Sequence, residues 1–278
     1  MAKLKLFADD VKLYIHVSND NNNCSIIQQC LNDVYDWSMR WQLTLAPNKC
    51  ATLSIGRKSV SHTYFINNVP LQNVTNYKDL GVVIDPQLSF DSHINQICSK
   101  ANQRAYLILK SFKSRDPKLL IRAFITFVRP ILEYASCVWS PYKCYLIDKI
   151  ESVQRAFTKK LFGLSNMSYN DRLLHLKIDS LETRRLRADL VMYYKVMHNL
   201  VDVACSNLFS ISTYVTTRGH NLKLTKPICK SNLDSNQFSY RAIDAWNGLS
   251  HNTVNASSLL CFKHQLFETN LDLYCKRT

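Results

Sequence analysis

Apolar and polar positions alternate with a period of two at the start of the chain and shift to a helical period further on. Lys3-Leu-Lys-Leu-Phe7 and Val11-Lys-Leu-Tyr-Ile15 are short apolar runs on either side of Ala8-Asp9-Asp10, a pattern that predicts strand, tight turn and strand with acids at the tip. Ile26, Ile27, Cys30, Leu31, Val34, Trp37, Met39 and Trp41 follow at roughly helical spacing and predict a helix over 24–42. Residues 51–55, 63–66 and 69–71 read as strands, with Asn67-Asn68 as a hairpin turn because Asn tolerates positive φ. Leu80-Gly-Val-Val-Ile-Asp85 reads as a buried strand.

Beyond Pro86 the texture changes. Helical patterns run over 90–113, 117–138, 144–162, 168–176 and 180–200, with basic residues between the apolar positions. After residue 200 the pattern weakens into polar loops and recovers as short helices over 238–249 and 257–267. The fold class expected is α+β, with domains over 1–86, 87–165 and 166–278.

Composition narrows the class. Only 5 Gly and 7 Pro in 278 residues, with 46% hydrophobic residues, exclude a collagenous or low-complexity chain. The net charge of +14 is local: residues 86–200 carry 19 Lys+Arg against 9 Asp+Glu, whereas 1–85 carry 8 against 7. A concentrated positive field favours a polyanionic partner, because neutralising phosphates releases condensed counterions; the same charge can equally serve to solvate helix faces. Ten cysteines without a single Cys-x-x-Cys pair read as reduced thiols. No secretory signal and no membrane-length apolar run is visible, so the expected location is intracellular, nuclear or cytoplasmic, with no membrane partner.

Phe7-Ala8-Asp9-Asp10 carries the chemistry. Two adjacent carboxylates on a hairpin tip make an oxygen-rich site for Mg²⁺ of the kind phosphoryl transfer requires, although a two-Asp turn by itself is more often only solvated. With this turn the chain resembles the reverse transcriptase of non-LTR, LINE-type retrotransposons of the Jockey-like group. Trp41-Gln-Leu-x-Leu-x-Pro47-Asn48-Lys49-Cys50 is similar to the segment after the palm helix, and Leu80-Gly81-Val82-Val83-Ile84-Asp85 with Leu88-Ser-Phe90 to the primer-grip strand. Ser152-Val-Gln-Arg155-x-Phe157 and Leu181-Glu-x-Arg184-Arg185-x-Arg187-x-Asp189-Leu190 are similar to the thumb. Thr217-Arg218-Gly219-His220, Phe238-Ser-x-Arg241 and Trp246-Asn247-x-Leu249 are similar to the blocks that close many such polyproteins.

The resemblance implies a partial polymerase palm over 1–86, a helical basic thumb over 87–165 and a helical C-terminal extension over 166–278. It implies Asp9 and Asp10 as Mg²⁺ ligands, and Lys49 as a helper at the nucleotide phosphates in a complete palm; otherwise Lys49 reads as a surface lysine. An RNA template and a DNA primer are the implied partners, together with the missing polymerase portion or another retroelement protein. The phosphate-facing residues it points to are Lys100, Arg104, Lys110, Lys113, Arg155, Lys159 and Lys160, with Arg115 beside them.

The family's metal site needs a third carboxylate from an earlier palm strand, and Met1 lies only six residues before Phe7. The expectation is therefore a C-terminal fragment of an RNA-directed DNA polymerase that is inactive alone, or a non-catalytic nucleic-acid-binding remnant. Removal of the remaining palm also predicts uncovered apolar surface on the hairpin. A nuclease using Asp9, Asp10, Asp85 and Asp91 has little to recommend it. Trp37, Trp41, Trp139 and Trp246 sit in periodic apolar segments and read as core. Cys261-Phe-Lys-His264 has half a zinc spacing without a second half, and the Arg184-Arg185-x-Arg187 cluster reads equally as a nucleic-acid contact or a solvated helix face.

Overall fold

In the computed structural model, which describes residues 2–16, 22–56, 62–212 and 219–276, the chain divides between Ser89 and Phe90 into two units. Short hairpins and one helix make the first. Strands β1 (Lys3–Phe7) and β2 (Asp10–Tyr14) pair antiparallel, with Leu4 opposite Leu13 and Leu6 opposite Val11. The two-residue period gathers these four side chains on one face and puts Lys3, Lys5, Asp10, Lys12 and Tyr14 on the other.

Helix α1 (Asn22–Arg40) lays Cys24, Ile27, Leu31 and Tyr35 against Tyr64, Ile66 and Leu71. Six short strands follow: β3 (Ala51–Thr52), β4 (Phe65–Ile66), β5 (Val69–Pro70), β6 (Gln72–Asn73), β7 (Tyr77–Asp79) and β8 (Val82–Ile84). Asn67 and Asn68 turn the β4–β5 hairpin at φ 48° and 61°, both left-handed, as a primed turn requires. The Gln28 carboxamide takes the place of a neighbouring strand: it donates to Phe65 O at 2.8 Å and accepts from Phe65 N at 2.9 Å.

The strands do not merge into one palm-like sheet. They form four two-stranded pairs, and β3 runs parallel to β6 rather than antiparallel to a neighbour. The strand expected over 51–55 is therefore only two residues long, and β6 and β7, each two or three residues, are too short to leave a periodic signal.

The second unit is helical. Helix α2 (Asp91–Ser111) buries Ile94, Ile97, Ala101, Ala105 and Ile108 at spacings of three and four. The continuous helix expected over 117–138 is broken into α3 (Pro117–Phe127), α4 (Arg129–Glu133) and α5 (Ser136–Trp139). Pro130 cannot donate to the preceding turn, and Ala135 takes a left-handed φ of 53°. Helices α6 (Cys144–Lys159), α7 (Tyr169–Leu176) and α8 (Leu181–Met197) match their apolar periods, with Ser168 and Ser180 capping the last two through hydrogen bonds to Asp171 N and Thr183 N.

Helix α2 packs on α6, α3 and α4, and the Phe124 and Phe157 rings lie 4.7 Å apart between α3 and α6. Helix α8 joins this bundle to the rest by packing on α5 and α6 along one side. Its other side carries Leu190, Tyr193 and Tyr194 into a core with Trp246 and Phe262. That core is closed by α9 (Asn232–Asn236), α10 (Phe238–Arg241), α11 (Ile243–Asn247), α12 (His251–Val254) and α13 (Leu259–Glu268). Residues 90–278 thus form one compact unit, in which α8 packs on α5 and α6 on one side and on α11 and α13 on the other. No helix among the described residues is long and apolar enough to cross a membrane.

Candidate functional site

Asp9 and Asp10 occupy the tip of the β1–β2 hairpin, where Phe7 pairs with Asp10 and Ala8 takes a left-handed φ of 51°. A residue with a Cβ pays of order 1–2 kcal/mol for that conformation, so the turn is held by its strands and not by local preference. Both carboxylates are exposed and neither enters an ion pair among the described residues. Lys12, two residues along the same face, turns its ammonium to Asp79 of β7, at 2.6 and 2.7 Å from the two carboxylate oxygens.

Mg²⁺ takes oxygen ligands, keeps several waters and needs only one or two protein carboxylates. The Asp9–Asp10 donor set fits a single hydrated ion. Among the described residues no group of three or more His, Cys, Asp or Glu is gathered to hold a metal, so a two-ion site is not assembled from this chain's own side chains. Lys49 sits exposed in the 3-10 turn Pro47–Lys49, and among the described residues no ion pair joins it to either aspartate.

Asp85 is buried and accepts from Gln87 N at 3.0 Å and Ser89 N at 3.1 Å, closing the turn before α2. In the second unit, Asp91 takes Lys143 at 3.1 Å and the Tyr145 hydroxyl.

The basic set lies in the second unit. Lys100, Arg104 and Leu107 stand at i, i+4 and i+7 in an exposed row along one flank of the buried stripe of α2, and Lys110 is exposed one turn further on. Lys113 and Arg115 occupy the connection to α3, whose cap Asp116 accepts from Lys118 N at 3.0 Å. All of these side chains are exposed and none is in an ion pair among the described residues. Lys118 and Arg122 extend the same run and were not singled out from sequence; their i, i+4 spacing opposite Leu120, Ile121 and Phe124 is the signal that marks them.

On α6, Arg155, Lys159 and Lys160 are exposed. The Arg155 guanidinium lies 5.1 Å from the centre of the Tyr169 ring.

The arginines of α8 behave differently from both sequence readings. Arg184 is locked in a two-pronged pair with Glu133, and Arg187 pairs with Asp179 and covers the Phe267 ring at 5.0 Å. Arg185 is buried, and burial pushes its guanidinium pKa down against the pull of Glu151, Glu182 and Asp189. The cluster is thus tied up in internal ion pairs: Glu133 lies on α4, Asp179 in the connection just before α8, and Arg185 is buried.

Trp139 and Trp246 are fully buried, as their spacing indicates, but Trp37 and Trp41 are 51% and 64% exposed. Trp37 lies on a face of α1 turned away from Cys24, Ile27, Leu31 and Tyr35, the residues that pack on Tyr64, Ile66 and Leu71, and Trp41 follows the last residue of the helix. The hairpin apolar face is similarly open, with Leu6 66% exposed. Cys261 and His264 form no metal group among the described residues; His264 Nδ1 lies 3.8 Å from Glu268. All ten cysteines are free. Of the Thr217-Arg218-Gly219-His220 block, Thr217 and Arg218 fall outside the described residues, while His220 Nε2 is 3.0 Å from Trp246 O.

No family model matches the chain, and no solved structure matches it. Among known proteins, a probable RNA-directed DNA polymerase from transposon X-element of Drosophila melanogaster is 22% identical over 167 residues, 58% of this chain and 18% of its own length. The RNA-directed DNA polymerase from mobile element jockey of Drosophila funebris is 25% identical over 165 residues, 56% of this chain and 18% of its own. The chain is a distant relative of retrotransposon RNA-directed DNA polymerases. An uncharacterized protein of Caenorhabditis elegans is 25% identical over 122 residues, 43% of this chain and 62% of its own. The chain thus spans less than a fifth of the two Drosophila polymerases and less than two thirds of the worm protein.

Proposed function

We propose that this chain is a C-terminal portion of a non-LTR retrotransposon reverse transcriptase, with Asp9 and Asp10 as its two adjacent metal-binding carboxylates. The observation that carries the reading is the exposed, unpaired Asp9–Asp10 tip on a rigid hairpin, in a chain distantly similar to RNA-directed DNA polymerases. In a complete palm these two carboxylates would hold Mg²⁺, which would supply Lewis-acid polarisation of the nucleotide phosphates, and Lys49 would assist at those phosphates. Because no third carboxylate gathers with them among the described residues, the chain by itself is expected not to extend a primer.

A second reading, binding without catalysis, is favoured by the exposed cations along α2, α3 and the end of α6, which enter no ion pair among the described residues. The partner in both readings is an RNA template paired with a DNA primer, held through its backbone. Phosphate contacts do not depend on a metal site, so affinity outlasts chemistry.

Primer extension on an RNA template with Mg²⁺, comparing the chain with Asp9→Asn/Asp10→Asn, separates the two. Extension lost in the double variant makes the chain an enzyme unaided. Hybrid binding without extension, unchanged by the double variant, is the expected result.

A further inference from the structure

The cations nominated for phosphate contact differ in how firmly they are held, and Arg155 stands apart. Its planar guanidinium rests over the Tyr169 ring at 5.1 Å, and a second guanidinium, from buried Arg172, lies 5.5 Å from the centre of that ring. The ring itself is fixed at its far end. The Tyr169 hydroxyl donates to Glu151 and accepts from Gln154 Nε2 at 3.1 Å, and Gln154 also donates to Asp179 O at 2.9 Å. Glu151, buried, accepts from Leu181 N at 3.1 and 3.0 Å, which ties this assembly to the first residue of α8.

Arg155 is exposed and has no carboxylate partner among the described residues. Its fork of N–H donors is therefore seated by the cation–π contact and left open to solvent, whereas the forks of Arg184, Arg187 and Arg241 are consumed by Glu133, Asp179 and Asp189. A lysine loses its rotamer freedom when it binds; an arginine already seated on an aromatic shelf has surrendered much of that freedom beforehand. Lys159, one helical turn on, extends the same exposed edge.

From this geometry we infer that Arg155 is a preorganised anchor for a nucleic-acid phosphate and that Tyr169, held by Glu151 and Gln154, is its positioning residue. The inference rests on the nucleic-acid reading above and specifies where its affinity originates. A stacked, planar fork suits two-pronged contact with a phosphodiester, which a point-charge lysine cannot reproduce.

The test is equilibrium binding of a labelled RNA–DNA hybrid by the full chain over a range of salt concentrations, with four variants. Arg155→Gln is expected to weaken binding and to reduce the slope of log K against log salt by roughly one phosphate's worth, about 0.7–0.9. Tyr169→Leu removes the shelf and is expected to weaken binding roughly two- to fivefold with the slope kept, as loss of one cation–π seat implies. Tyr169→Phe keeps the ring but loses its hydroxyl tether to Glu151 and Gln154, and is expected to bind between the natural chain and Tyr169→Leu, with the slope kept. In the Arg155→Gln background Tyr169→Leu is expected to have no further effect. If Tyr169→Leu weakens binding equally in both backgrounds, Tyr169 acts on the fold and the inference is overturned. If Tyr169→Leu does not fold, the exposed Arg155→Gln change alone decides: an unchanged affinity and slope overturn the anchor while the nucleic-acid reading stands. A natural chain that fails to bind the hybrid, or binds it without salt dependence, overturns both.

Discussion

Arg241 of α10 closes on Asp189 of α8 through two parallel hydrogen bonds, Nε to Oδ2 and Nη2 to Oδ1, both 2.7 Å long. The same Nη2 reaches Cys137 O at 2.8 Å, so a single guanidinium joins α5, α8 and the C-terminal helices. The two residues come from the blocks Phe238-Ser-x-Arg241 and Leu181–Leu190, which this pair packs against each other. Asn247, from another block, pairs its carboxamide with both backbone groups of Leu224, at 2.8 and 2.9 Å. Trp246 donates to Leu222 O at 2.8 Å.

Asp189 is almost wholly buried, so removing Arg241 leaves an unpaired charge in the interior. Arg241→Ala is expected to cost about 3–5 kcal/mol in denaturant unfolding, whereas changing both residues to apolar ones of similar volume costs much less. Equal losses in the single and double variants contradict the pair's role.

The Lys12–Asp79 ion pair, by contrast, is partly exposed, and it joins the Asp9–Asp10 hairpin to β7 across 67 residues of sequence. Lys12→Ala is expected to cost about 0.2–1 kcal/mol, and high salt should erase the difference. Its clearer effect is local: faster amide exchange in β1 and β2 with α2 unaffected. Uniform acceleration throughout the chain argues against a local clamp.

Burial lowers the pKa of His93 and of His220 below the ordinary histidine value of 6.5. The unfolded chain then binds these protons more readily than the folded one, so stability is complete above about pH 6.5 and falls as the pH drops below it. Thermal unfolding between pH 5 and 8 checks this, and His220→Gln is expected to flatten part of the slope. A melting temperature that rises on acidification contradicts it.

Cysteine reactivity follows burial in the same way. Desolvation pushes the thiols of Cys98 and Cys275 up to about 11 and that of Cys137 up to about 12, while Cys144 is exposed. Alkylation near pH 8 is expected to label Cys144 well ahead of these three, read by peptide mass.

The long periods were legible. Helices α1, α2, α6, α7 and α8 fall within a few residues of their sequence patterns, as does the β1–β2 hairpin, because each buries one stripe long enough to register. What the sequence hid is tertiary. Nothing local shows that Trp37 of α1 and Trp41 just after it face outward, that Arg184 of α8 meets Glu133 of α4, or that Ala135 breaks the run over 117–138. The candidate site was legible in its residue types and not in their support: Asp9 and Asp10 are plain in the text, whereas the Tyr169 shelf beneath Arg155 joins residues 14 positions apart on different helices.

The central claim is that an exposed, internally unneutralised set of cations holds a nucleic-acid backbone independently of the Asp9–Asp10 tip. Hybrid binding across salt concentrations, by the natural chain, by Lys100→Gln/Arg104→Gln/Lys110→Gln/Lys113→Gln and by Asp9→Asn/Asp10→Asn, tests it most directly. The account requires log K to fall linearly with log salt, a shallower slope in the quadruple variant, and no loss of affinity in the aspartate variant. Binding that ignores salt, or that persists with an unchanged slope after the four cations are removed, contradicts it.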